Sequence, residues 1–301
     1  MYYSLKEAIQ DLYGSVQIVN RRGVAGGDIN KAFVLELSDG SKVFMKQNRR
    51  ERLSFFVKEI HGLQVIRDTK TLSVPEVYGI GTDGDHAFLL MEYIEPQTKI
   101  KRYWEDFGTR LAAMHKVDTS RFVPGGTYGF FEDNYIGAGI QINTSCDSWI
   151  EFFRTCRLLP QWKRAAHYFQ TSLQQRMEYL LEHLDAYLVE PSHPSLLHGD
   201  LWAGNFMTGS DGKAWLIDPA CYVGCHEADL AMTELFGGYP PAFYKAYFEA
   251  YGWDDGYPMR KDLYNLYHLL NHLNLFGPSY QYSVLQIINK YTKQGYTISN
   301  N

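Results

Sequence analysis

The sequence predicts an α+β protein of two lobes: a β-rich N-lobe with one main helix, residues 1–94, and a mostly helical C-lobe, residues 95–301. Three observations predict it. Two short apolar runs, Phe33–Leu37 and Val43–Lys46, alternate with the period of two that belongs to strands. The segment after them, from Glu51 to about Arg67, changes to the i, i+3, i+4 spacing of an amphipathic helix, carried by Leu53, Phe56, Val57, Ile60, Leu63 and Val65. Beyond Glu95-Pro96 helical spacing dominates to the end of the chain.

Ser38-Asp-Gly-Ser41 lies between the two alternating runs and is a hairpin turn signal. A connection marked by Pro75 precedes two more strand candidates, the second being Ala87–Met91 after Asp83-Gly-Asp85. Tyr103, Phe107, Leu111 and Met114 mark the face of the next helix. Residues 118–147 are rich in Gly, Asn and Pro and read as irregular. A long helical stretch over about 148–187 is expected to be interrupted by Pro160. Two short strands, Asn205–Thr208 and Lys213–Asp218, flank a Gly209-Ser-Asp-Gly212 turn. Leu263, Leu266, Tyr267, Leu270 and Leu273 share one face of a C-terminal helix.

With 301 residues, 45% hydrophobic and 21% charged, the composition is that of a globular chain with a sizeable core. A net charge of −5 without a long basic run gives no footprint for nucleic acid. No apolar stretch reaches the ~18–20 residues that span a bilayer. The residues Met1–Glu7 carry acid and base where a secretory leader needs an apolar run, so a cytoplasmic protein is expected. Four cysteines, Cys146, Cys156, Cys221 and Cys225, make no disulfide framework. The C-x-x-x-C spacing of Cys221 and Cys225 has only His226 beside it, and free thiols are expected rather than a metal site.

The chemistry-bearing segment is His198-Gly-Asp-Leu-Trp-Ala-Gly-Asn205, followed by Trp215-Leu-Ile-Asp218. Phosphoryl transfer needs positioning, charge neutralisation and an acceptor for a hydroxyl proton. Asp200 is the candidate base. Asn205, five residues on, and Asp218, at the end of a strand, offer the hard oxygens that suit Mg²⁺. The hairpin between them lets positions 205 and 218 return to one place. A helix cap, a turn residue and a second cap would be the bland reading of the three, but H-G-D-x-x-x-x-N with a strand ending in Ile-Asp is specific.

Further elements stand upstream. Lys46 ends a hairpin strand where it can reach the phosphates of ATP, and Glu59, 13 residues later on the amphipathic helix, can pair with it. Gly26 and Gly27, in the turn Val24–Asn30, can bring backbone N–H groups to phosphate oxygens, although they do not make a G-x-G-x-x-G loop. Met91-Glu-Tyr-Ile-Glu95 is placed as a hinge, where the Glu92 carbonyl and the Ile94 N–H would meet adenine.

On these residues the sequence resembles the fructosamine kinase (ketosamine-3-kinase) family, within the protein-kinase-like and aminoglycoside phosphotransferase-like superfamily. The resemblance runs along nearly the whole chain: Gly26–Asn30; Asn134-Tyr-Ile-Gly137 with Gln141 and Asn143; Trp149 to Gln161; His198–Asn205; Asp218-Pro-Ala-Cys-Tyr222; His226–Met232; and Tyr267–Asn274 with Phe276-Gly277. It implies a two-lobed protein-kinase-like fold and ATP-dependent phosphorylation, with Mg²⁺, of the 3-hydroxyl of a ketosamine, free or protein-bound. It implies Asp200 as base, Asn205 and Asp218 at metal, Lys46 and Glu59 at phosphate, and Trp202 and His272 lining the sugar pocket. Asp28 stands where some relatives carry a cysteine tied to redox control, and Ala203 where many carry serine.

A protein kinase is disfavoured. Asp218 and His226 are eight positions apart, which leaves no room for an activation loop or a peptide-docking segment. Glu227 and Asp229 are expected to brace the catalytic loop, and His226 reads as a surface residue or as part of the site. Trp202 and His272 each have a core-packing reading beside the functional one. A kinase of another small hydroxyl acceptor and a nucleotide-binding pseudokinase remain as alternatives; the presence of Lys46, Asp200 and Asp218 speaks against the second. The oligomeric state is open.

Overall fold

The computed structural model describes residues 1–24 and 29–292. The chain opens on a helix, α1 (Leu5–Tyr13), followed by strands β1 (Ile18–Val24), β2 (Lys31–Leu37) and β3 (Lys42–Arg49). Helix α2 (Leu53–Thr69), then β4 (Val77–Asp83) and β5 (His86–Glu92), complete an antiparallel five-stranded sheet in the order β1-β2-β3-β5-β4. The β2–β3 hairpin has Ala32 opposite Lys46 and Leu35 opposite Val43. β3 pairs on its other edge with β5, Lys46 facing Leu89.

The strand period separates two cores. Leu35, Leu37, Val43, Met45, Phe88 and Leu90 point to one face and pack with Ala8 and Ile9 of α1. Ala87, Leu89 and Met91 point to the other, where Phe56, Leu63 and Ile66 of α2 join a core continuous with the C-terminal helices. The same alternation sends Lys46 to the α2 side of the sheet.

Helix α1 departs from the expected single N-lobe helix. Its signal was present: Ser4 caps it by accepting the Glu7 N–H at 3.0 Å, and Leu5, Ala8, Ile9 and Leu12 keep helical spacing. α2 begins at Leu53 because residues 50–52 form a 3₁₀ turn.

The C-terminal part holds α3 (Tyr103–His115), β6 (Asn134–Ile136), β7 (Gly139–Gln141), α4 (Trp149–Phe152), α5 (Leu159–Ala165) and α6 (Thr171–Glu182). It continues with β8 (Ser195–Leu197), β9 (Phe206–Thr208), β10 (Ala214–Leu216) and β11 (Tyr222–Gly224). α7 (Glu227–Leu235), α8 (Pro241–Tyr251), α9 (Tyr257–Phe276) and α10 (Gln281–Thr292) follow. The stretch read as irregular contains the small antiparallel β6–β7 hairpin. Pro160 does not interrupt the helix. The chain stays helical through it by widening to a π turn over Phe153–Leu158, and the carbonyl of Cys156, which Pro160 cannot serve, accepts from Arg157 Nη1 at 3.0 Å. The break comes instead at Phe169 and Gln170.

Among the described residues no helix is long and apolar enough to cross a membrane. All four cysteines are unpaired, and no three of His, Cys, Asp and Glu cluster as a metal cage there.

Candidate active site

Between the sheet and the helical part lies a cavity of about 1180 Å³. That exceeds the usual single-ligand pocket and has room for a nucleotide together with a second small molecule. Lys46, Glu59, Glu92, Ile94, Asp200, Trp202, Asn205, Asp218 and His272 all line it. The candidates for base, metal, phosphate, adenine and sugar contacts that fall within the described residues are therefore brought to one place; Gly26 and Gly27 lie outside them.

Lys46, 8% exposed, donates Nζ to Glu59 Oε1 at 2.6 Å and is also paired with Asp218. Strand β3 and helix α2 thus meet at one ammonium. Gly62, on the same helix, lets α2 approach the segment after Asp218: a Cβ there would lie 3.0 Å from Pro219 Cγ. The Cys221 thiol, also against α2, reaches the Gly62 carbonyl at 3.7 Å. Asp218 itself has φ 54°, a left-handed conformation that aspartate tolerates better than most residues and that recurs at functional sites.

Asp200 follows Gly199, whose φ is 83°. Asn205 donates Nδ2 to the Asp200 carbonyl at 2.8 Å and to Asp200 Oδ2 at 3.0 Å. Ile217 in turn donates its N–H to the Asn205 carbonyl at 3.0 Å, tying the loop to the segment after β10; that strand ends at Leu216, two residues before Asp218, and not at Asp218 as expected. Burial pushes the Asp200 carboxyl up to about 7, against the opposing pull of the Asn205 amide and with the Asp229 charge adding to it. A carboxyl near neutrality can exchange a proton with a bound hydroxyl.

His198 is buried, and burial lowers its pKa, so the ring is neutral at pH 7. Its partners fix the tautomer. Nε2 donates to the Ile217 carbonyl at 2.9 Å, and Nδ1 accepts the Asp200 N–H at 3.2 Å. Asp229 accepts from the His198 N–H at 2.7 Å and the Gly199 N–H at 2.9 Å, and braces the loop as expected. Burial works to raise the Asp229 pKa, yet His115, 3.2 Å from its Oδ2, and the Gly199 amide hold it below the usual carboxylate value. Glu227 does something else: both its oxygens accept from Arg260 of α9, at 2.8 and 2.6 Å. His226 is half-buried against the Tyr251 ring, 3.9 Å away, and is not among the cavity-lining residues. His115 was missed from the sequence because nothing local marks the end of α3 as lying beneath residue 229.

The hinge expectation finds Glu92 at the end of β5, its N–H donating to the Glu76 carbonyl at 2.8 Å, with Ile94 buried two residues on. Trp202 is 37% exposed toward the cavity. Its ring meets Phe236 at 6.2 Å, and Phe236 meets His272 at 4.9 Å. His272 also lies against Tyr280 at 5.1 Å, and its Nδ1 reaches the His268 carbonyl at 2.8 Å. Both residues line the cavity, and His272 also packs among these rings.

Asn205 and Asp218 present hard oxygens of the kind a Mg²⁺ shared with phosphates requires. The two bonds from Asn205 use its nitrogen, which leaves the amide oxygen outside them. The donor set fits the ion.

A sequence profile of the family described as Fructosamine kinase matches residues 1–294. The Vibrio cholerae protein named Probable ketoamine kinase is 37% identical over 290 residues, covering 95% of this chain and 97% of its own. A protein-ribulosamine 3-kinase, chloroplastic, of Oryza sativa subsp. indica is 38% identical over 285 residues, covering 93% of this chain and 80% of its own. The crystal structure of a fructosamine-3-kinase candidate from Haemophilus somnus superposes with a TM-score of 0.83 at 29% identity, over 95% of this chain and 96% of its own. With the kinase-like arrangement of sheet, cavity and catalytic loop, these findings show that the chain belongs to the fructosamine kinase family of ATP-dependent phosphotransferases.

Proposed function

We propose that the protein transfers the γ-phosphate of ATP to the 3-hydroxyl of a ketosamine, a ribulosamine or fructosamine. Asp200 takes the proton of the acceptor hydroxyl while that oxygen attacks the γ-phosphorus and the bond to the β-phosphate oxygen breaks, leaving ADP. Lys46, held by Glu59, engages the phosphates. Asn205 and Asp218 hold Mg²⁺, which when bound neutralises phosphate charge. The Glu92 carbonyl and Ile94 N–H take the adenine edge, and Trp202 and His272 border the sugar. Residues 1–94 act as the nucleotide lobe and 95–301 as the acceptor lobe. A cytoplasmic setting fits the four unpaired thiols.

The observation that carries this reading is the convergence of Lys46, Asp200, Asn205 and Asp218 on one cavity that Trp202 and His272 also line. The names of the relatives point to a ketosamine as the second occupant. The test is ADP release with Mg-ATP and a panel of acceptors: a lysine ribulosamine, a lysine fructosamine, choline and an aminoglycoside. Turnover confined to the ketosamines is expected. Turnover only with another acceptor, or with none, overturns the assignment.

A further inference from the structure

Helix α2 must be held in place for Glu59 to reach Lys46, and the eight positions from Asp218 to His226 are too few for an activation loop to do it. The structure points to the β6–β7 hairpin. One face of α2 carries Ser54, Phe55, Lys58 and His61, near i, i+4, i+7 spacing. Glu132, just before β6, takes two of them at once: Oε2 accepts from Lys58 Nζ at 2.6 Å, and Oε1 lies 2.7 Å from His61 Nδ1. Tyr135 takes the others, its ring 3.7 Å from that of Phe55 and its hydroxyl 3.2 Å from Ser54 Oγ.

The other side of the same hairpin grips the segment after Asp218. Asn134 Nδ2 donates to the Cys221 carbonyl at 2.7 Å, and Gln141 Nε2 donates to the Ala220 carbonyl at 2.9 Å. Gln141 also donates to Asn134 Oδ1 at 2.8 Å and accepts from the Tyr267 hydroxyl of α9 at 2.7 Å, so these amides are fixed from behind. The hairpin therefore touches both carboxylate-bearing segments that meet at Lys46.

We propose that the β6–β7 hairpin is a strut that positions Glu59 and Asp218 about Lys46, with Glu132 its positioning residue toward α2. This rests on the reading of Lys46 and Glu59 as the phosphate-holding pair. A half-buried ion pair with one hydrogen bond beside it, at an exposed edge, adds little to overall stability. Its effect is on where α2 sits, and hence on nucleotide binding.

The experiment is a double-mutant cycle in the full chain, read as affinity for a fluorescent ATP analogue with Mg²⁺ and as KM for ATP in lysine-ribulosamine turnover. Glu59→Gln is expected to weaken nucleotide binding about tenfold and Glu132→Gln about fivefold, with the double variant no worse than Glu59→Gln alone. KM for the acceptor should stay unchanged in Glu132→Gln. Amide hydrogen exchange should accelerate across residues 53–69 and not along α9. Additive losses, or wild-type affinity in Glu132→Gln, overturn the strut. Wild-type affinity in Glu59→Gln overturns the phosphate-pair reading instead. Should Glu132→Gln fail to fold, Lys58→Gln takes its place in the cycle, with the same non-additivity expected and additivity again refuting the strut.

Discussion

Asn205 donates the same side-chain nitrogen twice to Asp200, at 2.8 Å to the carbonyl and at 3.0 Å to Oδ2. The amide thus closes the catalytic loop on itself and turns the carboxylate of its own candidate base. Asp200→Asn keeps the size of the side chain and removes its capacity to take a proton. The expected result is a fall in kcat of about 10²–10⁴, the usual contribution of a general base, with affinity for an ATP analogue nearly unchanged. Wild-type turnover in this variant would remove Asp200 from the mechanism.

Lys46 is shared by Glu59 and Asp218, and the first of these has a side chain only 12% exposed. Lys46→Met leaves that carboxylate without its cation, so a stability loss of about 1–3 kcal/mol is expected along with loss of turnover. The double variant Lys46→Met/Glu59→Leu replaces the pair by apolar groups and should recover most of the stability. It should recover none of the activity. Urea denaturation alongside an ADP-release assay separates the two, and recovery of turnover would show that Lys46 serves the fold alone.

How much of this was legible in the sequence depended on range. The β2–β3 hairpin and the place of Lys46 on it followed from a period of two and a turn signal, both local. Asp200, Asn205 and Asp218 were legible because a short hairpin, β9–β10, returns one to the other. β1 was not, since six of its seven residues are exposed and no alternation marks it. The three-residue strands β6 and β7 are too short to show a period. Glu132 gave no signal at all: its partners on α2 lie 71 and 74 residues away, and only the tertiary fold brings them together. Glu227 and Asp229 looked alike in sequence, two residues apart on one helix. Their separation in role comes from what packs opposite, Arg260 for one and the backbone of the catalytic loop for the other.

Gly199 is required by geometry as well as by motif. Its φ of 83° costs an L-residue about 1–2 kcal/mol, and a Cβ would run into the Ala220 carbonyl oxygen. That oxygen cannot yield, because Gln141 already donates to it at 2.9 Å and the Ala220 N–H is bound to the His198 carbonyl at 2.8 Å. Gly199→Ala is therefore expected to cost about 3 kcal/mol or more in chemical denaturation and to reduce kcat by displacing the neighbouring Asp200. A loss below about 1 kcal/mol would mean that the loop relaxes freely.

His268 sets an acid limit on the fold. It is 3% exposed, and its Nδ1 is buried with no hydrogen-bond partner. Burial pushes its pKa down to about 3, with His272 and Arg157 reinforcing the effect and Asp229 opposing it. The unfolded chain titrates this group near 6.5, so on acidification the unfolded state takes up the proton first. The stability is complete above about 6.5 and is lost as pH falls toward 3, at up to ~1.4 kcal/mol per pH unit. His226, lowered to about 3 by burial and the charges of His115 and Arg260, adds in the same direction. Asp200, raised to about 7, works in the opposite sense, but the two histidines outweigh it, so the melting temperature should drop between about pH 6 and pH 4. His268→Asn, which cannot titrate, should melt with a shallower pH slope than the wild type, whatever its stability at neutral pH. An identical slope in the variant would mean that the acid sensitivity arises elsewhere and that His268 is already able to hold a proton in the folded core.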